Sequence, residues 1–194
     1  MSPIAVQPPA HRRTRRIAAA ALIAACTGIA TGVAQAADTG PAPNTAKRAT
    51  GITSVHGSGG GELQFSGFEG DQVNFDIRGH TTDADSPVSV KGTFAVTHER
   101  PDGTLFAEMS GSLDCMWVAG DVAVATGVIE KYDMPGLPEL EPAGRRVGFT
   151  IDDGGRHDRI GWSWAVTGFE GDVSPCMSTA PFFEVERGWF AVHD

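Results

Sequence analysis

The stretch Gln72-Val73-Asn74-Phe75-Asp76-Ile77-Arg78 alternates polar and apolar residues without a break. In an extended chain successive side chains point to opposite faces, so Val73, Phe75 and Ile77 share one face and the four polar residues the other, the pattern of a half-buried β-strand. The same period runs outward from it. Val88, Val90, Phe94 and Val96 fit a second strand kinked at Gly92, and Leu113, Cys115 and Trp117 a third. Val122, Val124, Thr126 and Val128 follow directly on Ala119-Gly120-Asp121, which has the chemistry of a hairpin turn. Val147, Phe149 and Ile151 form the next strand, then Ile160, Trp162, Trp164 and Val166, with the strong turn signal Asp152-Asp153-Gly154-Gly155 between them. Phe183, Val185, Trp189, Phe190 and Val192 close the chain.

No apolar run has the period and length of a helix. Short strands at near-regular spacing with Gly-rich turns predict an all-β fold, a single antiparallel β-barrel or sandwich of about eight strands. Period two sends Phe75, Phe94, Trp117, Phe149, Trp162 and Trp164 into one core, which leaves only Trp189 of the four tryptophans for stacking on a sugar.

The first 36 residues follow different rules. Arg12, Arg13, Arg15 and Arg16 precede an Ala-rich apolar run from Ile17 to Ala34 that ends in Ala34-Gln35-Ala36. Basic segment, apolar segment and small-x-small site, in that order, predict a cleaved signal peptide over 1–36 and a secreted protein. Alanine, glycine and threonine make the run too weak for a membrane-spanning helix, so no transmembrane segment is expected in the mature chain. Arg15-Arg16 admits a twin-arginine route, and Ile23-Ala24-Ala25-Cys26 is lipobox-like, which makes a lipoprotein anchored through Cys26 the alternative. Residues 37–50 carry no periodicity and are expected to be a disordered linker, leaving 51–194 as the all-β domain.

Four of the 15 Lys and Arg lie in the leader and none of the 24 Asp and Glu, so the mature chain has 11 bases against 24 acids, a net charge of −13. Nucleic-acid binding relies on a basic face, so that class of partner is excluded. Cys115 and Cys176 remain once Cys26 leaves with the leader, and an even pair in an oxidising compartment predicts a disulfide.

Catalytic and metal patterns are present only in fragments. Gly161-Trp162-Ser163-Trp164-Ala165 has the spacing of a nucleophile elbow, but that motif needs a strand-to-helix turn, and Ser163 reads as mid-strand with no helix after it. His56-Gly57-Ser58-Gly59-Gly60-Gly61 has the look of an oxyanion loop with no elbow to serve. His56, His80, His98, His157 and His193 are scattered singly, without the close pairing of a zinc site. Asp152, Asp153 and Asp158 could offer oxygens to calcium, yet lack EF-hand spacing and read better as a solvated hairpin turn. No catalytic, metal or cofactor residue is therefore assigned. The segment Asp133 to Pro142 has three prolines and cannot be a central strand; its Met134, Leu137 and Leu140 have no strand to pack in and are expected to fold over one end of the barrel, sealing the core or guarding a small cavity. Gly67-Phe68-Glu69-Gly70-Asp71 recurs as Gly168-Phe169-Glu170-Gly171-Asp172, the mark of a repeated turn.

The stretches Cys115 to Val124, Thr126-Gly127-Val128, Val147 to Ile151, Asp152 to Asp158, Arg159 to Trp164 and Pro175-Cys176 together resemble secreted β-domain proteins of high-GC Gram-positive bacteria, some called repetin-like, over roughly Gly59 to Val192. The resemblance implies an all-β exported domain and brings no activity and no site residue with it. The expected function is that of a non-enzymatic secreted binding or interaction module, with a cell-envelope partner or a small hydrophobic ligand. The alternatives are a lipocalin-like barrel around such a ligand, and an enzyme on a small β-barrel.

Overall fold

The computed structural model describes residues 51–194 except 84, 170 and 172; the expected signal peptide, Cys26 and the 37–50 linker lie outside the described residues. Nine antiparallel strands form one curled half-barrel sheet. They are β1 (Ser54–Glu62), β2 (Gln72–Thr81), β3 (Val90–Glu99), β4 (Leu105–Ala119), β5 (Val122–Asp133), β6 (Arg146–Asp152), β7 (Arg159–Trp162), β8 (Phe183–Glu184) and β9 (Arg187–His193). Their spatial order is β8-β7-β6-β5-β4-β3-β2-β1-β9. The all-β expectation holds, as a single sheet rather than a sandwich. No helix among the described residues is long and apolar enough to cross a membrane.

Neighbours in sequence pair in space from β1 to β7, so each connection is a local hairpin, the tightest being Gly120-Asp121 between β4 and β5. Phe75, Phe94, Phe149 and Trp162 are buried on the inner face and meet edge-on or tilted, with Phe75 4.9 Å from Trp162 and Phe94 5.1 Å from Phe149. Trp117 departs from this set. The β4–β5 register shifts between Leu113 and Cys115, and a bulge of that kind moves every later side chain to the other face. Cys115 and the next residue, Met116, are accordingly both buried, and Trp117 is turned out, 52% exposed. A second departure follows Trp162. The strand stops there, and Trp164–Thr167 form one turn of helix where a continuing strand was expected. Ser163 is the buried residue at the junction, its Oγ accepting from Gly148 N at 3.0 Å and its own N–H donating to Gly148 O at 3.0 Å, so it serves packing. Val88 sits in a short 3-10 turn, Pro87–Ser89, ahead of β3 and is exposed.

The last segment bridges the two edges of the sheet. Phe183 and Glu184 pair with β7; Val185 N donates to Asp158 O (2.8 Å); Glu186 N, one residue on, donates to Gly60 O on β1 (2.9 Å), and Arg187–His193 continue along β1. Glycine in β1 makes the approach possible, since a Cβ on Gly59 would lie 2.7 Å from Val185 Cγ1. The Gly-rich run from Gly57 to Gly61 is therefore strand, not an oxyanion loop. The free edge of β9 is finished by side chains: Phe190 N donates to Asp158 Oδ2 (2.7 Å) and Val192 N to Asp153 Oδ2 (3.1 Å). The turn at 152–158 is the expected β6–β7 hairpin with residues 154–157 exposed, but Asp153 and Asp158 turn from solvent to these amides. Asp158 is 6% exposed, and its carboxylate does the work of a neighbouring strand.

On the outer face, residues 173–182 cover β4 to β7. The Cys115–Cys176 disulfide pins them, with Cα atoms 5.1 Å apart. Cys176 N donates to Thr126 Oγ1, which donates to Asp114 Oδ1; Asp114 Oδ2 accepts from Arg146 Nε, whose guanidinium also reaches Val173 O. Gly148 admits this cover, because a Cβ there would sit 2.2 Å from Met177 O. Hence Val147 to Ile151 is buried on both faces, where an uncovered strand alternates.

Two outcomes follow from this architecture. Asp158→Ala leaves the buried Phe190 amide without an acceptor and should cost about 1–3 kcal/mol, with amide exchange at Phe190 and Val192 rising before that of β2 or β3. Unchanged exchange there would show that β9 is held without the carboxylate. Cys176→Ser should lower the melting temperature by removing a cross-link over 61 residues, up to about 4 kcal/mol on the loop-entropy estimate, and non-reducing peptide mapping of the parent protein should recover the linked pair.

Candidate functional site

Inside one end of the half-barrel lies a cavity of about 480 Å³. Its floor is the inner face of the sheet: Val73 from β2, Val96 from β3, Met109 from β4 and Trp162 from β7, all buried. Three connecting segments converge on its mouth. Each is held by its own hydrogen bonds.

The first is the β1–β2 connection. Leu63 N donates to Asp71 O and Gly70 N to Leu63 O, which extends the hairpin and places Phe65 and Phe68 at the wall. The second is the Pro-rich loop after β5. Gly136 N donates to Phe106 O (2.8 Å), Tyr132 OH donates to Glu141 Oε2 (2.6 Å), and Gly144 N and Arg145 O pair with Ile129. The loop is thereby anchored at both ends. Met134 is buried and lines the cavity, Leu137 lines it at the rim with 37% exposed, and Leu140 packs against the core without lining it. The third is the helical turn after β7. Trp164 stacks on Phe169 at 5.8 Å and 20°, and Arg145 donates through its guanidinium to Phe169 O. The duplicated pentapeptide thus delivers Phe68 and Phe169 to the same cavity; residues 170 and 172 of the second copy lie outside the described residues.

One polar pair is set in this apolar wall. His98 has the inward parity of Phe94 and Val96 on β3, opposite Val73. Its Nε2 lies 2.7 Å from Asp71 Oδ2, and Asp71 is 2% exposed. Because a carboxylate only accepts, Nε2–H donates. Arg100 completes the group, Nη1 at 3.8 Å from Asp71 Oδ2 and its guanidinium 4.4 Å from the Phe106 ring centre. The imidazole is clasped by Phe106 and Phe68, at 4.5 and 5.4 Å. Burial pushes the His98 imidazole below its ordinary value; the Asp71 contact opposes the shift and Arg100 adds to it.

Sequence reasoning reached the loop and missed this pair. The available signal was parity, since Phe94, Val96 and His98 fall on one face of one strand. The other histidines stay apart from the cavity: His157 bonds Glu184 on the surface, and His56 faces Trp189 and His193 on β1 and β9. Among the described residues no group of three or more His, Cys, Asp or Glu is placed to hold a metal ion. No family model, no curated protein and no solved structure matches the chain.

The His98 shift carries a sign. The folded state holds the imidazole neutral below the pH at which the unfolded chain, near 6.5, takes up its proton. Stability is therefore lost as pH falls from about 6.5 through the lower folded value. Thermal melts of the parent and His98→Gln should differ less at pH 5.5 than at pH 7.5; a gap of constant size would remove His98 as the titrating group.

Proposed function

We propose that the protein is an exported, non-enzymatic binding protein that holds a small hydrophobic molecule in this cavity. The observation that carries the reading is the cavity itself. Protein interiors close their voids to near-crystalline density, and pockets of roughly 300–1,000 Å³ with apolar walls and few polar groups are what small-molecule sites look like. Here the wall is phenylalanine, tryptophan, methionine and aliphatic carbon with three polar residues, Ser66, His98 and Glu108, and Phe65 and Leu137 stand partly exposed at its mouth. Export rests on the leader composition over 1–36, and the Cys115–Cys176 bridge is compatible with an oxidising compartment. Binding is favoured over turnover because, among the described residues lining the cavity, only Ser66, His98 and the exposed Glu108 are polar.

A surface interaction module is the second reading. It is favoured by Trp117 and Trp189, both more than half exposed, since aromatic residues are enriched in interface cores.

Titration with N-phenyl-1-naphthylamine, a neutral apolar fluorophore, should give saturable enhancement with one site per chain. Ala107→Trp, which fills the cavity from β4, should abolish the signal, and Leu137→Ala with Leu140→Ala should change the uptake rate. Equal enhancement by the parent and the Ala107→Trp variant would place the probe elsewhere and end the ligand reading.

A further inference from the structure

Resting on the cavity as a ligand site, we infer that its occupant is a neutral, flat ring compound bearing a hydroxyl group, and that His98 receives that hydroxyl as hydrogen-bond acceptor. Size comes first. At about 480 Å³ the cavity falls within the roughly 300–1,000 Å³ of small-molecule sites, room for a compact one- or two-ring compound.

Shape comes from the walls. Phe65, Phe68, Phe106, Trp162, Trp164 and Phe169 line the cavity from four different parts of the chain. Rings meet rings by offset or edge contact, so a slot framed by aromatic faces and edges gives a flat ring more contact than a flexible chain of equal volume.

Polarity comes from the one polar pair. His98 Nε2–H is committed to Asp71 at 2.7 Å, so in the neutral ring the remaining nitrogen, Nδ1, has a lone pair and no hydrogen. The group that satisfies it must donate. Ser66 also lines the cavity and can accept or donate. Charge narrows the choice further. Neither lysine nor arginine lines the cavity among the described residues, and the buried Asp71 carboxylate stands behind His98. An anionic ligand would enter an apolar space without a cation to receive it, at a large desolvation cost. Arg100 offers no remedy, being set against Asp71 and the Phe106 ring and absent from the lining.

The test is calorimetric titration of the full-length mature chain at pH 7.5 with naphthalene, 2-naphthol and 2-naphthoate, three flat molecules of similar size that differ in the polar group. The inference expects 2-naphthol to bind about fivefold tighter than naphthalene, the worth of one hydrogen bond between neutral partners, and 2-naphthoate at least about tenfold weaker than 2-naphthol. In His98→Leu the preference for naphthol over naphthalene should shrink to near unity. Should that variant fail to fold, amide and imidazole NMR of the parent supplies the second reading: 2-naphthol should move the His98 ring signals more than naphthalene does. Naphthalene binding with no gain for naphthol, or naphthoate binding tightest, would overturn the hydroxyl assignment and leave the cavity reading intact. Failure of all three to bind would overturn both.

Discussion

The rest of the structure depends on two consecutive backbone amides pointing to opposite edges of one sheet. Val185 N–H bonds to the chain leaving the turn at Asp158 and Glu186 N–H bonds to Gly60 on β1, so the final segment spans the gap that a curled sheet leaves open. An open edge exposes a row of unpaired donors and acceptors, and an inner face left open at the side would be wet. Here the row is finished partly by carboxylates. Asp158 and Asp153 reach the Phe190 and Val192 amides that no strand is present to receive. With both edges tied to the same eleven residues, 183–193, the inner face becomes an interior.

That interior is not uniform along its length. On β2 the inward residues run from Ile77 through Phe75 to Val73, and on β3 from Phe94 through Val96 to His98. Phenylalanines meet across the middle and fill it, Phe75 against Phe149 and Trp162. Toward the end covered by the connecting segments the sheet supplies Val73, Val96, His98, Ala107 and Met109 with two rings, Phe106 and Trp162, and the connections add Phe65, Phe68, Trp164 and Phe169. Rings from both the strands and the connections stand around this end and leave a space between them. The cavity is the geometric result, roofed by segments that owe their positions to hydrogen bonds with strand ends rather than to strand pairing.

Charge is handled differently on the two faces. Outside, Asp114, Arg146 and Thr126 form a linked network beneath the disulfide-held cover, and each polar atom of that chain finds a partner in its neighbour. Inside, the buried Asp71 carboxylate stands behind the lining residue His98, and His98 and Arg100 hold it there. A buried carboxylate is tolerable only when it is hydrogen-bonded and paired. Placing the pair behind an imidazole leaves that imidazole with a defined donor direction and a defined acceptor.

The amino-acid sequence by itself determined most of the strands and the link between the cysteines, though not β1, whose glycines carry no alternation. Alternation from Gln72 to Arg78 and its repeats mark segments that can bury one face in extended form, a local property that needs no knowledge of partners. Cys115 and Cys176, the two cysteines beyond the expected leader, likewise leave one pairing. The Pro-rich loop also announced itself, because prolines cannot donate to a ladder and apolar residues without period need a reason. Tertiary structure alone decided the remainder. Whether Trp117 pointed in or out turned on a single-residue bulge at Cys115, invisible to a count of period two. Trp164 enters a turn of helix where the alternation of Ile160, Trp162, Trp164 and Val166 continues as if in a strand. The pairing of Asp71 with His98 joins residues 27 apart that only the β2–β3 register brings together. Local pattern reports what each segment can bury; which side chains then face the same space is a non-local matter, set by register, bulges and closure.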